Sequence, residues 1–339
     1  MPIRLAEFLS PRPEEPLWSL IRQAGVTDVV ALLQGAEQEQ RMFAAVGEGT
    51  RGTDGTDAAP WSEASIARDQ RIFADAGFRV AAIEDTVPMD RIRLGREGRD
   101  EDIAAVIQQL EAMGNLGIGV LCFNWMAIAT WSRTSIETVG RGGARVTSFR
   151  LADAGGHPDV EVAETAEDLW AALAYFLDAV IPTAERAGVR LGMHPDDPPL
   201  PRLRGVPRIM GTPDAYRRLL ALNPSRANGV TFCQGNFALM PGADDVPGLI
   251  REFGERVAFS HFRNVRGTAE DFVETFHDEG VLDMAECMRA LADIGFDGPL
   301  RPDHVPTMAG EPNARPGYET LGRLHALGYI RGLMDAVGA

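Results

Sequence analysis

The sequence predicts an α/β protein folded as a closed (β/α)8 barrel, the TIM barrel, with extended loops after strands 2 and 4. Three observations predict it. Eight short apolar runs recur along the 339 residues. Amphipathic segments of helical length lie between them, and alternating strands and helices imply a parallel sheet. No glycine-rich phosphate loop follows the first run, where the chain reads LSPRPEEP, so an open doubly wound sheet is the weaker alternative.

The runs, in order, are IRLAEFL (3–9), VTDVVALL (26–33), FRVAAIE (78–84), IGVLCFN (118–124), VRLGMH (189–194), GVTFCQ (229–234), VAFSHF (257–262) and PLRPDH (299–304). The clearest helical segments are SIARDQRIFADAG, DIAAVIQQLEAMGNLG and DLWAALAYFLDAVIPTAERAG, each closing on a glycine, a helix-stop signal. Two connections exceed the usual few residues. One is GEGTRGTDGTDAAP (47–60). The other runs from about Ala127 to Glu164 and carries Trp131, Arg133, Arg141, Arg145 and Arg150. It reads either as a solvated loop or as a lid that brings guanidinium groups over an anionic substrate. The length would allow two domains, but single α/β barrels reach roughly 250 residues and more, so one domain over 1–339 is the expectation.

A net charge of −16 argues against partners that need a basic surface, nucleic acid and anionic membrane among them. No stretch approaches the roughly 20 apolar residues of a membrane span. The N-terminus lacks the features of a secretory signal. Cys122, Cys233 and Cys287 are odd in number and widely spaced, which suggests reduced thiols and a cytoplasmic location. Cys122 and Cys287 sit in apolar patterns and read as core.

Cys233 is different. In a parallel barrel all strand C-termini meet on one face, where active sites lie. The last four runs end at His194, Cys233, His261 and Asp303, spaced 39, 28 and 42 residues apart, about one strand–helix unit each. Imidazole, thiolate, imidazole and carboxylate are all ligands for a divalent transition ion. The corner after His194 reads PDDPP. Its prolines stiffen the turn, and Asp196 and Asp197 serve either turn chemistry or support for the site.

The segments MHPDDPP, GVPRI, TFCQGNF, HFRNV, FHDEGVLDM, GFDGPLRPDH and RPGYETLGR, with CFNWM at strand 4, resemble the mannonate dehydratases of the xylose-isomerase-like barrel superfamily. The resemblance runs from about residue 110 and is dense from 189 to 323. It implies a (β/α)8 barrel, a Mn²⁺-type ion and dehydration of D-mannonate to 2-keto-3-deoxy-D-gluconate. It also implies that His194, Cys233, His261 and Asp303 are metal ligands and that His304 and Tyr318 transfer protons. Asn124, Arg263, Asn264, His277 and Arg315 match polar positions near the substrate. A homodimer is implied as well.

The departures fall on the pocket rim. LAEFLSP stands where the family usually carries Trp-Tyr-Gly, CFNWMA replaces a Tyr-Asn-Phe-Met-Pro series, and VPTMAG follows RPDH. The thiolate favours softer ions such as Zn²⁺, whereas the carboxylate and an oxygen-rich substrate suit Mn²⁺. Zn²⁺, Co²⁺ and Fe²⁺ therefore stand beside Mn²⁺. Two other functions compete: a sugar isomerase or epimerase on the same scaffold, and a non-catalytic sugar-acid binding protein.

Overall fold

The structure, a computed structural model, describes residues 3–36, 39, 58–128, 130–156 and 159–338. Eight parallel strands close into a barrel: β1 (Arg4–Leu9), β2 (Asp28–Ala31), β3 (Arg79–Ile83), β4 (Val120–Asn124), β5 (Arg190–His194), β6 (Asn228–Cys233), β7 (Val257–Phe262) and β8 (Pro299–Pro302). Each neighbours the next in sequence, and β8 returns to pair with β1. Seven of the eight strands lie within the apolar runs, and β6 begins one residue before its run, at Asn228. Helices α1 (Leu17–Gln23), α2 (Glu63–Asp75), α3 (Arg99–Asn115), α4 (Ala166–Ala187), α5 (Pro213–Leu222), α6 (Val246–Phe253), α7 (Met284–Asp293) and α8 (Thr320–Val337) form the outer layer. Among the described residues no helix is long and apolar enough to cross a membrane.

Strand alternation divides the core into two layers. Along β1, Ala6 and Phe8 point to the barrel axis, where they meet Val30, Ala82, Val120, Cys122 and Phe259. Leu5 and Leu9 face the helices instead and join the larger outer core with Cys287. Cys122 and Cys287 are thus buried packing residues, as their patterns suggest. Helix α4 shows how the boundaries arise. Thr165 and Asp168 form a reciprocal capping box at its start, and Gly188 ends it with φ +67°, a left-handed conformation that costs glycine little.

The loop expected at 47–60 lies, apart from residues 58–60, outside the described residues. The long connection after β4 is not an open loop. Residues Ser135–Val139 and Arg145–Arg150 form a hairpin, and the second of these strands pairs antiparallel with Asp271–Glu274. Asp271–Glu274 pairs in turn with Val265–Thr268, so segments from after β4 and after β7 build one four-stranded sheet over the barrel mouth. Phe149, Leu200, Leu203, Leu239, Val265 and Phe272 pack beneath it.

The lid expectation for the arginines needs correction. Arg141 pairs with Asp278, Arg150 with Asp271, and Arg145 donates to the Glu311 carbonyl, all at the outer surface. Arg133 alone of the four turns inward, and it meets carboxylates rather than open cavity. The reason is local: each guanidinium finds an acceptor of the protein first, a carboxylate for Arg133, Arg141 and Arg150 and a backbone carbonyl for Arg145.

Strands β5 and β6 approach unusually closely at Gly192. A Cβ there would lie 2.4 Å from Thr231 Oγ1, which donates a 3.0 Å hydrogen bond to the Gly192 carbonyl. Gly192→Ala is expected to lower stability by about 1–3 kcal/mol, the cost of overpacking a filled interior. An unchanged denaturant midpoint would mean that these two strands part freely.

Candidate active site

The C-terminal ends of the strands supply the site, and strand register decides who meets whom. Asn124 is the lateral partner of His194, Cys233 of His261, and His261 of Arg301. Ligand atoms of His194, Cys233 and His261 all lie within 4.8 Å of one another. Asp303, one residue beyond β8, places Oδ2 3.9 Å from Cys233 Sγ and 3.8 Å from His261 Nδ1. The structure therefore clusters three of the four sequence-selected donors and sets Asp303 beside two of them.

Their protonation suits a cation. The His194 Nδ1 lies 2.8 Å from the Pro195 carbonyl, so Nδ1–H donates and Nε2 keeps its lone pair. Burial, and then the adjacent His261, push the His194 imidazole down to about 4. Burial and the Arg301 charge also lower His261. Neither ring nitrogen of the fully buried His261 makes a well-formed hydrogen bond, although Glu84 Oε2 stands 3.4 Å from Nε2. Such an orphaned polar ring carries a desolvation cost that coordination of a cation would remove. Burial alone would raise the Asp303 carboxyl, but His304, Arg301, His261 and Arg263 outweigh it and hold it well below the carboxylate range. Burial pushes the Cys233 thiol up to about 12, against the pull of Arg263, whose Nη1 lies 3.7 Å from Sγ.

A second donor group, Glu84, Cys122 and His261, shares the imidazole. It is the poorer seat for an ion. Arg301 clamps both oxygens of Glu84 at 2.9 Å, and burial raises the Cys122 thiol far above its usual range. Glu84 instead supports His261, with Oε2 3.4 Å from Nε2. Carboxylates behind a ligating histidine hold its ring in orientation. Burial is outweighed here by Arg301 and His261, and Glu84 is held down to about 2.

His304 and Tyr318 flank the donors. Tyr318 Oη donates to Asp303 Oδ1 at 3.2 Å, and His304 Nε2 lies 3.7 Å from the same oxygen. His304 has φ +45°, outside the strand conformation. Strand alternation would send adjacent side chains to opposite faces, and this left-handed residue is what lets Asp303 and His304 both face the cavity. The His304 Nδ1 lies 2.9 Å from Glu274 Oε1 and 2.8 Å from Arg133 Nη2. Burial and Asp303 together raise the Tyr318 phenol well above its usual value.

The cavity is lined by Glu84, Asn124, His194, Asp303, His304 and Tyr318, among others, with Trp131 and Asp197 on its wall. Of the residues matched to substrate positions, Asn124 alone lines it. Arg263 is fully buried behind Cys233, bound to Glu274 and Asp197. Asn264 ties together the carbonyls of His277 and Leu282 and the amides of Val265 and Leu282. His277 Nε2 lies 2.7 Å from the Phe262 carbonyl, and burial pushes its ring down to about 4. Arg315 pairs with Glu14. All four shape the loops behind the site. Of the two corner aspartates whose role the sequence leaves open, Asp196 accepts from the Met210 amide, whereas Asp197 faces two arginines.

Sequence reasoning missed Glu84, Arg301 and Glu274. Glu84 ends the third apolar run and obeys the rule that found the donors of the last four. Arg301 stands two residues before Asp303 and so shares its strand face. Glu274 arrives from the lid sheet, and no local pattern marks it.

Two outcomes are expected. At pH 7 the free protein holds neutral imidazoles, an ionised Asp303 and a protonated Cys233, so binding a divalent ion displaces roughly one proton. Affinity then rises about tenfold per pH unit across neutrality, since proton and cation compete for sulfur. Calorimetry in buffers of different ionisation heat reads the proton, and Cys233→Ser should abolish it and weaken binding. Glu84→Gln should weaken the ion about 10- to 100-fold; a competition titration with a chromophoric chelator showing wild-type affinity would strip Glu84 of that role.

A family model described as D-mannonate dehydratase (UxuA) matches residues 17–165 and 159–339. That match extends the likeness well N-terminal of residue 110. The mannonate dehydratase of Enterococcus faecalis is 34% identical over 314 residues, 82% of this chain and 87% of that protein. Mannonate dehydratase 1 of Bacillus licheniformis is 32% identical over 311 residues, 82% of this chain and 84% of that one. The crystal structure of the mannonate dehydratase of Streptococcus suis serotype 2 superposes with a TM-score of 0.85 at 28% identity, covering 100% of this chain and 97% of that one. An L-ribulose 3-epimerase structure, 16% identical with a TM-score of 0.60 over 99% of this chain and 96% of that one, shares the fold. With matches spanning both halves of the barrel, the chain belongs to the D-mannonate dehydratase (UxuA) family.

Proposed function

We propose that this protein is a metal-dependent hydro-lyase that converts D-mannonate to 2-keto-3-deoxy-D-gluconate and water. The observation that carries the reading is the cluster of His194, Cys233 and His261, with Asp303 beside the last two, against a cavity whose lining includes His194, Asp303, His304 and Tyr318. The family's activity supplies the substrate.

The reaction breaks the C2–H bond beside a carboxylate and the C3–O bond. The C2 proton is weakly acidic because its loss leaves a dianion. His194, Cys233, His261 and Asp303 would hold a divalent ion, which we take to be Mn²⁺, and when bound it would supply Lewis-acid stabilisation of charge on the substrate carboxylate and neighbouring oxygen. His304 and Tyr318 are the two groups placed to accept the C2 proton and to protonate the departing C3 hydroxyl. The enol that remains then takes up a proton at C3 and releases the proton of its C2 hydroxyl, becoming the 2-keto acid. Asp303 touches both groups and keeps them on one side of the site. Glu274 and Arg133 hold the far nitrogen of His304 and stop the ring from turning away. Asn124, beside His194 on the neighbouring strand, offers polar contact to the substrate.

The test is turnover of a panel of hexonates by purified protein loaded with Mn²⁺, read as 2-keto-3-deoxy product. D-mannonate should be the preferred substrate. Absence of such a product at verified metal occupancy, with interconversion of a ketose and its epimer instead, would replace the lyase reading by the isomerase one. His304→Asn and Tyr318→Phe should each retain metal and lose about 10²- to 10⁴-fold in kcat, the usual scale of one proton transfer.

A further inference from the structure

Trp131 is the one tryptophan of five that is substantially open to solvent. It is 42% exposed, while Trp18, Trp125 and Trp170 are buried and Trp61 is half-buried. It lies on the cavity wall. Its ring centroid is 5.5 Å from that of His304, which is 5.6 Å from that of Tyr318, so the three rings form an arc beside Asp303. An indole left in water at the mouth of a mainly polar cavity forgoes a large apolar gain. That arrangement makes sense where something covers the ring during function.

The backbone around the ring is held fast. The Ser132 amide donates to the Asp197 carbonyl at 3.2 Å, and the Thr134 amide donates to the Ser148 carbonyl at 2.9 Å. Between them Arg133 is bound by both oxygens of Asp197 and by Glu274. Its guanidinium also stands 5.6 Å from the indole centroid. The ring is therefore a plate on a fixed mount rather than a swinging flap.

We propose that Trp131 is the substrate-positioning plate of the site, on which the C–H face of an aldonate chain packs so that its C2–C3 bond lies beside His304. The proposal rests on the aldonate reading given above. An open-chain polyol presents carbon-bound hydrogens between its hydroxyls, and those hydrogens suit the negative face of an indole. An ion held by the donor cluster would fix the carboxylate end of the chain, and the plate restricts how the remainder rotates.

The test uses metal-loaded full-length protein and 3-deoxy-D-mannonate, which keeps the carboxylate and C2 hydroxyl but has no leaving group at C3. Calorimetry establishes binding, and tryptophan emission with acrylamide quenching reports on the plate. Binding should shift emission to the blue and protect it from acrylamide, and both signals should vanish in Trp131→Phe. In turnover of D-mannonate, Trp131→Ala should raise KM about 5- to 10-fold at unchanged metal content, and Trp131→Phe should recover most of that loss. Binding without a Trp131 signal, or a Trp131→Ala enzyme with wild-type KM, overturns the plate while leaving the aldonate site standing. Failure of the analogue to bind wild-type protein overturns the aldonate reading itself, and the plate with it.

Discussion

A buried cluster of two arginines and two carboxylates holds the mouth of this barrel together. Arg263, just beyond β7, binds Glu274 through both nitrogens of one edge and reaches Asp197. Arg133, from the segment after β4, binds the same two carboxylates. The four side chains are nearly excluded from water. Charges in such a place are stable only while each keeps its partners; removal of one member of a buried pair typically costs about 3–5 kcal/mol. Burial would raise both carboxyls, yet the arginines hold Glu274 down to about 2 and Asp197 lower still. Glu274 belongs to the lid sheet and Asp197 to the corner after β5. The cluster therefore ties sheet, corner and barrel into one rigid rim.

The working side chains hang from this rim. Arg263 leans on Cys233, Glu274 meets His304, and Arg133 underlies Trp131. A second buried network does the same work deeper in the barrel, where Arg301 bridges Glu84 and Asp303 and so braces His261 and Asp303 together. The two carboxylates of Glu84 and Asp303 could not share such a volume beside His261 without that guanidinium. The net effect is preorganisation: donors face one another before any cation or substrate arrives. The PDDPP corner is part of that scheme. Asp197 carries charge for the rim, and Asp196 ties the corner to the Met210 amide.

Much of this could be read from the chain before any coordinates. Alternation of apolar runs and glycine-stopped helices specifies a parallel barrel, because local periodicity reports which face of each element is buried. Parallel strands then bring His194, Cys233, His261 and Asp303 to one face by topology alone, since all C-termini share an end. Cys122 and Cys287 betrayed their packing roles through apolar neighbours. These features depend on residues near one another in sequence or on a rule that holds for every barrel.

Other features depend on contacts between distant segments, and local pattern carries no trace of them. The connection after β4 folds as a hairpin because its partner strand comes from residues 271–274, more than a hundred positions away. Arg263 and Arg315 look like substrate arginines in a motif, but whether a guanidinium meets a ligand or a protein carboxylate is settled by which anion the fold brings first, here Glu274 and Glu14. The shared facing of Asp303 and His304 hangs on one left-handed backbone angle. The sequence alone determined the fold and which candidate donors share one end of the barrel; tertiary structure decided which charges are spent inside the protein and which remain facing the cavity, because pairing of buried charges is a non-local balance of desolvation against Coulomb attraction.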